Sequence, residues 1–483
     1  MADIARKEIV NRLIGILGAN AVVTEEYALK ESSRDRYRKY EQVMGVYTQP
    51  IPAAVVYVTN SAEVSKVLAF ANSNHINVVP RTGQSAIEGG LETALPDSIV
   101  IDGSRMNKVL KIDPYNMQVT CQCGVPLQKI EDTLREQGLT TGHSPQSKPL
   151  AQIGGLVATR SIGQFSTLYG GIEDMIAGME AVFPNGAVCR IKNIPRRAAG
   201  PDIRHIVCGN EGAICFITEV TLKLFKYRPE HAIFIGYAID DMKEGFECLR
   251  EVMAEGYKPS IARLYDEQDA QGSFGHFLPE GACILIWMTE GPVGVAQATD
   301  AGIKAIMTKH PRAKPVDSKY LSAWYQHLNW GTEQIAKERA EIFATKNIGI
   351  TTEVSGCWDC IYDIYKTSCE RIVQEIPDIT MIGGHSSHSY INGTNMYFVY
   401  YYNVVDCAPQ EEINKYHNPI NRIICEQTLK YGGSIVHHHG LGKARARYVR
   451  EEYGSSFYML ETLKKAFDPE SVMNMGTLIP LKQ

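Results

Sequence analysis

Apolar and polar positions change period several times along the chain, and each change predicts an element. The opening MADIARKEIVNRLIGIL sets apolar residues among alternating charges, which predicts an amphipathic helix. AAVVYV, INVVP and SIVIDG are short apolar runs that predict strands. Between the first two, SAEVSKVLAFANSNH predicts a helix capped by its serine, with Glu63 shortly after. NKVLKIDPYNMQVTCQCG and EAVFPNGAVCRI predict further strands, the second a hairpin about Pro184-Asn185-Gly186. VPLQKIEDTLREQGL has apolar positions three and four apart and ends near a glycine, so it predicts another helix.

Near residue 226 the texture changes. Long helical patterns (DDMKEGFECLREVMAEG, PVGVAQATDAGIKAIMTKH, YDIYKTSCERIVQEI) interleave with aromatic-rich strands such as AIFIGYAI, CILIWMTE and MYFVYYYNVV. This is an α+β pattern that predicts an antiparallel sheet. Near the end, ARARYVREEYGSSFYMLETLKKAF reads as helix again. Three parts follow: residues 1–225, 226–430 and 431–483.

Composition narrows the partners. A formal charge of −5 gives no electrostatic case for nucleic acid. No apolar run approaches the roughly 18 residues of a membrane span. Asp3 and Glu8 interrupt the start, so it does not read as a signal peptide, and a cytoplasmic location is expected. The twelve cysteines are scattered; Cys357 and Cys360 have redox-motif spacing, but no thioredoxin-like unit precedes them.

Candidate chemistry concentrates in three stretches. VVPRTGQSAIEGG follows a strand, and its small residues let backbone N–H groups converge on a phosphate. TTGHSPQSKPLAQIGGLVATRSIGQFSTLYGGIEDMIAG gathers glycines where a flat heterocycle needs close backbone approach. GGSIVHHHGLGK places His437, His438 and His439 between glycine turns. Three consecutive histidines do not share one face, so the run does not read as a zinc site.

Taken in order, PRTGQSAIEGG, TGHSPQS, IGGLVATR, YGGIEDMIAGMEAVFPNG and GPDIRHIVCGNEGAICFITEVTLKL resemble the flavin-binding half of the vanillyl-alcohol-oxidase/p-cresol-methylhydroxylase superfamily. The chain departs from it at Arg81 to Ser85, where relatives carry a denser glycine run. The resemblance implies an α+β fold with a two-part FAD-binding domain over residues 1–225, a substrate cap with an antiparallel sheet over 226–430, and a histidine loop and helix returning over 431–483. It implies non-covalent FAD held by Pro80, Arg81, Thr82, Gly83, Gln84, Ser85, Thr141, Ser147, Gly154, Gly155, Thr159, Arg160, Glu211, Gly212 and Ile217.

The histidine loop resembles the alkyldihydroxyacetonephosphate synthase branch, where dehydrogenases of the superfamily usually carry Glu-His-Gly-x-Gly. That resemblance implies a catalytic set of Tyr397, His438, His439 and Arg339, with Arg263, His437 and Lys443 contacting substrate. Tyr397 would help remove a proton, the histidines would carry it, and Arg339 would clamp a carboxylate. A helix following the loop would keep the imidazoles neutral. A single strand tyrosine ordinarily packs in a core and a single arginine ordinarily pairs at the surface, so it is their joint occurrence that carries the reading. His385 and His388 read as a polar wall, and no metal is expected. Two activities stay open: redox-neutral exchange of acyl for alkyl on a lipid-derived substrate, and dehydrogenation of a small 2-hydroxy acid or alcohol with an external electron acceptor. A homodimer is expected.

Overall fold

A computed structural model describes residues 2–481. The first sheet has the order Val22–Val23, Ala54–Tyr57, Ile99–Asp102, Val78–Arg81, and its last three strands run parallel. Parallel strands must be covered on both faces, and Ala54, Val55, Val56, Ile99, Val100 and Ile101 are all fully buried. Helix Ser61–Ser73 connects the strands and buries Val64, Val67, Leu68 and Ala71, spaced three and four apart. Its cap differs from the sequence expectation. Asn60, not Ser61, accepts the Glu63 amide, leaving the Ser61 hydroxyl to donate to Glu180 of the next sheet.

The second sheet is antiparallel, ordered Val109–Asp113, Gln118–Gln122, Phe216–Lys223, Ile176–Val182, Val188–Ile191. Its last hairpin turns at Gly186, whose φ of 82° is the left-handed conformation the Pro184-Asn185-Gly186 turn needs. Val182 and Phe216 pack into the core of the first sheet.

Leu139–Thr140 and Phe225–Lys226 pair separately, and the third large sheet has the order Lys314–Val316, Ile233–Ile239, Cys283–Thr289, Ile261–Tyr265, Ile379–Ser386, Gly393–Asn403, Asn347–Cys357, with Ser389–Tyr390 added alongside. Each pairing is antiparallel. Alternation gives the sheet two different faces. Met396, Phe398, Tyr400 and Tyr402 join a buried core with helices Met242–Ala254, Val293–Met307, Ile361–Glu375 and Asn418–Lys430. Tyr397, Val399 and Tyr401 point the other way, into a cavity.

The C-terminal segment is not one helix. A turn at Ala446–Tyr448 leads to helix Val449–Tyr453, and Gly454 at φ 49° ends it before helix Phe457–Phe467. Beyond it the chain returns to the first sheet: Val78 donates to Val472 O at 2.8 Å and Asn474 donates to Val78 O at 2.7 Å. Lys464 locks this return. Its Nζ donates to Ala213 O (2.7 Å) and Met473 O (2.8 Å) and pairs with the buried Asp468, which itself accepts the Val472 and Met473 amides. Among the described residues no helix is long and apolar enough to cross a membrane. Cys357 is exposed and Cys360 half-buried at the start of its helix, and both are free thiols.

Removing the lysine head strands a buried carboxylate, a change that costs about 3–5 kcal/mol. Lys464→Met is therefore expected to lower the urea midpoint of the part that holds strand Val78–Arg81. An unchanged midpoint, followed by circular dichroism, would contradict the locking role.

Candidate functional site

The three sheets enclose a cavity of about 810 Å³. This lies within the range of ligand pockets, roughly 300–1,000 Å³. Two glycine loops form its floor, and the outward-alternating residues of the third sheet form its roof. The loop after Val78–Arg81 begins with Arg81, whose Nε donates to the buried Asp102 at 2.7 Å. That pairing uses the guanidinium to tie two strand ends together. It leaves the backbone of Thr82 to Ser85, with Gln84 at φ 55°, to face the cavity. The second loop lies directly against the first. A Cβ on Gly83 would stand 2.6 Å from Leu150 O, and one on Gly155 would stand 2.8 Å from Thr82 Oγ1. Glycine is required here by contact between the loops as well as by any ligand.

Pro80, Arg81, Thr82, Gly83, Gln84, Ser85, Ser147, Gly154, Gly155, Thr159, Glu211, Gly212 and Ile217 all line the cavity. Thr141 and Arg160 do not. The Thr141 amide and hydroxyl both donate to Glu131, at 2.8 and 2.5 Å, and Arg160 turns outward to Glu173 at 3.2 Å. Gln152 and Gln164 also line the cavity, and each has a buried Oε1 with no partner. Nothing in their sequence setting marks them. An open backbone nest together with unpartnered amide oxygens suits a phosphate-bearing cofactor with a hydrogen-bonding ring.

The histidine loop is built on a carboxylate. Ser434 pairs with Ser355 of strand Asn347–Cys357, at 2.8 and 3.0 Å, which anchors the loop to the third sheet. The amides of His437, His438 and His439 then donate to Glu353 at 2.6, 3.1 and 2.8 Å. Those of Leu441 and Gly442 donate to Glu211 at 2.9 and 2.8 Å. Arg445, fully buried, donates to Glu353 O (2.8 Å), Ile435 O (2.5 Å) and Glu88 Oε1 (2.7 Å). The first helical elements after the loop are the three-residue turn Ala446–Tyr448 and the five-residue helix Val449–Tyr453, so no helix N-terminus lies at the histidines as expected. Burial keeps the rings neutral instead. It pushes His437 and His438 down to about 3 and His439 to about 4, against the opposing pull of Glu353. Burial alone would raise the Glu353 carboxyl. The Arg445 guanidinium, and the facing His438 and His439 once acid protonates them, more than offset it and hold the group well below the usual carboxylate range. Burial raises Glu88 to about 7, with Arg445 opposing.

His438, His439 and Tyr397 meet at the cavity wall. The Tyr397 hydroxyl lies 3.3 Å from His439 Nε2 and accepts from Thr351 Oγ1 at 3.1 Å. Burial raises its phenol to about 12, so it is an intact hydroxyl at neutral pH. The His385 ring stacks on Tyr397 at 4.9 Å and is held by Asp269 at 2.6 Å. Arg263 also reaches this wall. It bonds the Tyr265 hydroxyl, its guanidinium lies 5.5 Å from the Trp324 ring, and its buried Nε has no partner.

Three expected contacts lie elsewhere. Arg339 is on the outer face of helix Thr332–Thr345 and donates to Gln42 Oε1 at 2.8 Å; the preceding Glu338 faces the cavity, paired with Lys39 at 2.6 Å. The helical step of about 100° per residue separates the two. Lys443 turns to the C-terminal return, donating to Asn474 Oδ1 at 2.7 Å and Thr477 Oγ1 at 3.0 Å. His437 points away from the cavity toward Tyr390. His385 and His388 both line the cavity.

Comparison with known proteins agrees with this architecture. Residues 52–192 match the pattern of the FAD binding domain, and residues 228–478 match that of FAD linked oxidases, C-terminal domain. The chain is 59% identical over its full length, and over the full length of the relative, to an Escherichia coli (strain K12) protein described as "Uncharacterized FAD-linked oxidoreductase YgcU". It is 26% identical to alkyldihydroxyacetonephosphate synthase of Dictyostelium discoideum, over 89% of this chain and 73% of that one. The solved structure of p-cresol methylhydroxylase with substrate bound superposes with a TM-score of 0.74 at 15% identity, covering 99% of this chain and 97% of that one. The chain is therefore a flavoenzyme that takes FAD, and it belongs to the FAD-linked oxidases.

Proposed function

We propose that the protein dehydrogenates a small hydroxylated anion, of the 2-hydroxy acid kind, and passes the electrons to an external acceptor. The observation that carries this is a pair of neutral imidazoles and an intact phenol on one cavity wall, beside an arginine with a free N–H. Thr82 to Ser85, Gly154, Gly155, Gln152 and Gln164 would hold FAD, which when bound supplies the hydride-accepting ring. Arg263 offers its unpartnered Nε–H to the substrate carboxylate. Tyr397 donates its hydroxyl hydrogen to His439 Nε2 and accepts one from the substrate carbinol. The imidazolium this forms is stabilised by Glu88 and Glu353, whose oxygens lie 3.5 and 3.7 Å from His439 Nδ1. Oxidising a carbinol to a carbonyl removes a hydride, which the flavin takes when bound, and one proton, which His439 accepts through Tyr397, with neutral His438 beside it.

Redox-neutral acyl-for-alkyl exchange is the second reading. It is favoured by the placement of Tyr397, His438 and His439, the residues that resemble the synthase set. The outward position of Arg339 weighs against it, because the arginine that reading assigns to the leaving fatty carboxylate does not line the cavity.

Purified FAD-loaded protein mixed anaerobically with a panel of 2-hydroxy acids should bleach its flavin and stall until a dye acceptor is added. Turnover of acylated dihydroxyacetone phosphate without any acceptor would overturn the dehydrogenase reading. Tyr397→Phe and His439→Asn should each slow bleaching by about 10²- to 10⁴-fold with FAD retained.

The pH profile gives a separate check. An ordinary histidine base would lose activity as pH falls through about 6.5. Here the acceptor His439 is depressed to about 4 and stays neutral, so across roughly pH 5 to 8 the bleaching rate is expected to rise only near 7, where Glu88 beside it ionises and stabilises the imidazolium, and Glu88→Gln should remove that rise. A break near 6.5 that persists in Glu88→Gln would contradict the burial argument.

A further inference from the structure

His437 and Tyr390 line no part of the cavity, yet they continue a chain of nitrogen and oxygen atoms that starts on its wall. His438 lines the cavity, and among the described residues its Nε2 has no hydrogen-bond partner. Its Nδ1 lies 2.9 Å from His437 Nδ1. The other nitrogen of His437, Nε2, lies 2.7 Å from the Tyr390 hydroxyl. Tyr390 is half-buried, and the charges that act on its phenol include those of half-buried Glu173 and of exposed Asp174 and Arg160, at the protein surface. Both separations are hydrogen-bond distances, and together they run from the reaction chamber to the edge of the fold.

We propose that His438, His437 and Tyr390 form a proton exit from the buried cavity to solvent. This rests on the dehydrogenase reading, in which each carbinol oxidised leaves one proton on the cavity wall that must depart before the next turnover. The step balances at every link. A proton from the cavity bonds to His438 Nε2 as the Nδ1 proton passes to His437 Nδ1. The His437 Nε2 proton then passes to the Tyr390 oxygen, and the Tyr390 hydroxyl proton leaves to water. One proton enters, one departs, and no group keeps a net charge. Each imidazole ends in its other tautomer and is reset by tautomerisation, which returns its ring proton to the starting nitrogen with no net transfer. Tyr390 suits the last position because burial, and then the neighbouring Glu173 and Asp174, raise its phenol above the ordinary value. It therefore remains a hydroxyl that both accepts and donates.

The same atoms could be taken for a metal site, since Glu353, His437 and His438 place ligand atoms within 4.8 Å of one another. The carboxylate argues otherwise. Both of its oxygens already accept backbone amides of the loop, and the Arg445 cation lies on the carbonyl of the same residue. A cation added there would compete with three N–H donors and a guanidinium. Two rings joined by one shared proton need no such displacement.

Histidine-¹⁵N-labelled, FAD-loaded protein without substrate gives a test that is independent of the activity. The proton shared by His437 and His438 should exchange with water at least about tenfold more slowly in Tyr390→Phe, a loss below the 10²- to 10⁴-fold typical of groups at the reacting atoms. Flavin content and melting temperature should be unchanged. With a substrate that bleaches the flavin, the same variant should turn over more slowly at unchanged KM, and free imidazole in the buffer should restore the rate. Unchanged proton exchange in Tyr390→Phe would overturn the exit. So would one equivalent of Zn²⁺ binding that moves the signals of both rings, which would make the trio a metal site. If no hydroxy acid bleaches the flavin, the dehydrogenase reading fails while the exchange measurement still decides the path.

Discussion

The carboxylate of Glu353 is the constraint on which the site depends. It is fully buried, and it receives three successive backbone N–H groups of the histidine loop. A bare buried carboxylate would be costly, and one met by several donors and a nearby guanidinium is stable. Because the donors are backbone groups, satisfying the charge also fixes the conformation of His437 to His439. Arg445 extends the arrangement. It grips Glu353 O and Ile435 O on the two sides of the loop's start and reaches Glu88 from the first glycine loop. One buried ion cluster therefore sets the flavin-side loop, the third sheet and the histidines in register with one another.

This also explains how neutral imidazoles arise without a helix dipole. The loop amides that would have polarised a helix terminus are turned inward onto Glu353 and Glu211. The rings are left in a dry setting that disfavours their charged forms. Proton acceptors are obtained by desolvation, and the adjacent carboxylates are placed to stabilise the charge once it forms. The acid form of Tyr397 fits the same scheme, since burial keeps its hydroxyl intact beside His439.

What was legible in the sequence follows from periodicity and from short-range chemistry. Alternation in MYFVYYYNVV separates Tyr397 and Tyr401 from Tyr400 and Tyr402, which is why the first two face the cavity while the other two pack in the core. The glycine loops were legible because close approach permits few other residues. The facing of Arg339 is not legible, because spacing along the chain does not fix which side of a helix a residue takes. One step of rotation puts Glu338 inward and Arg339 outward. Arg160 lies between the cavity residues Thr159 and Ser161 but is claimed by Glu173, and Thr141, four positions before the cavity residue Pro145, is claimed by Glu131. Glu88 and Arg445 were invisible for a different reason. Their pairing spans 357 positions, and neither has a local pattern that announces a partner so distant.

The most direct measurement is amide hydrogen exchange over residues 437–442 in FAD-loaded Glu353→Gln. A neutral amide can accept from some of the loop's donors but turns its own N–H₂ toward the others. Hydrogen bonds to a charged group contribute about 1.5–3 kcal/mol each. Loss of even one should speed exchange of the His437 to His439 amides by about tenfold or more, while strand Gly393–Asn403 keeps its protection. Unchanged protection of those three amides in Glu353→Gln would show that the loop holds its shape without the buried charge, and would contradict the account.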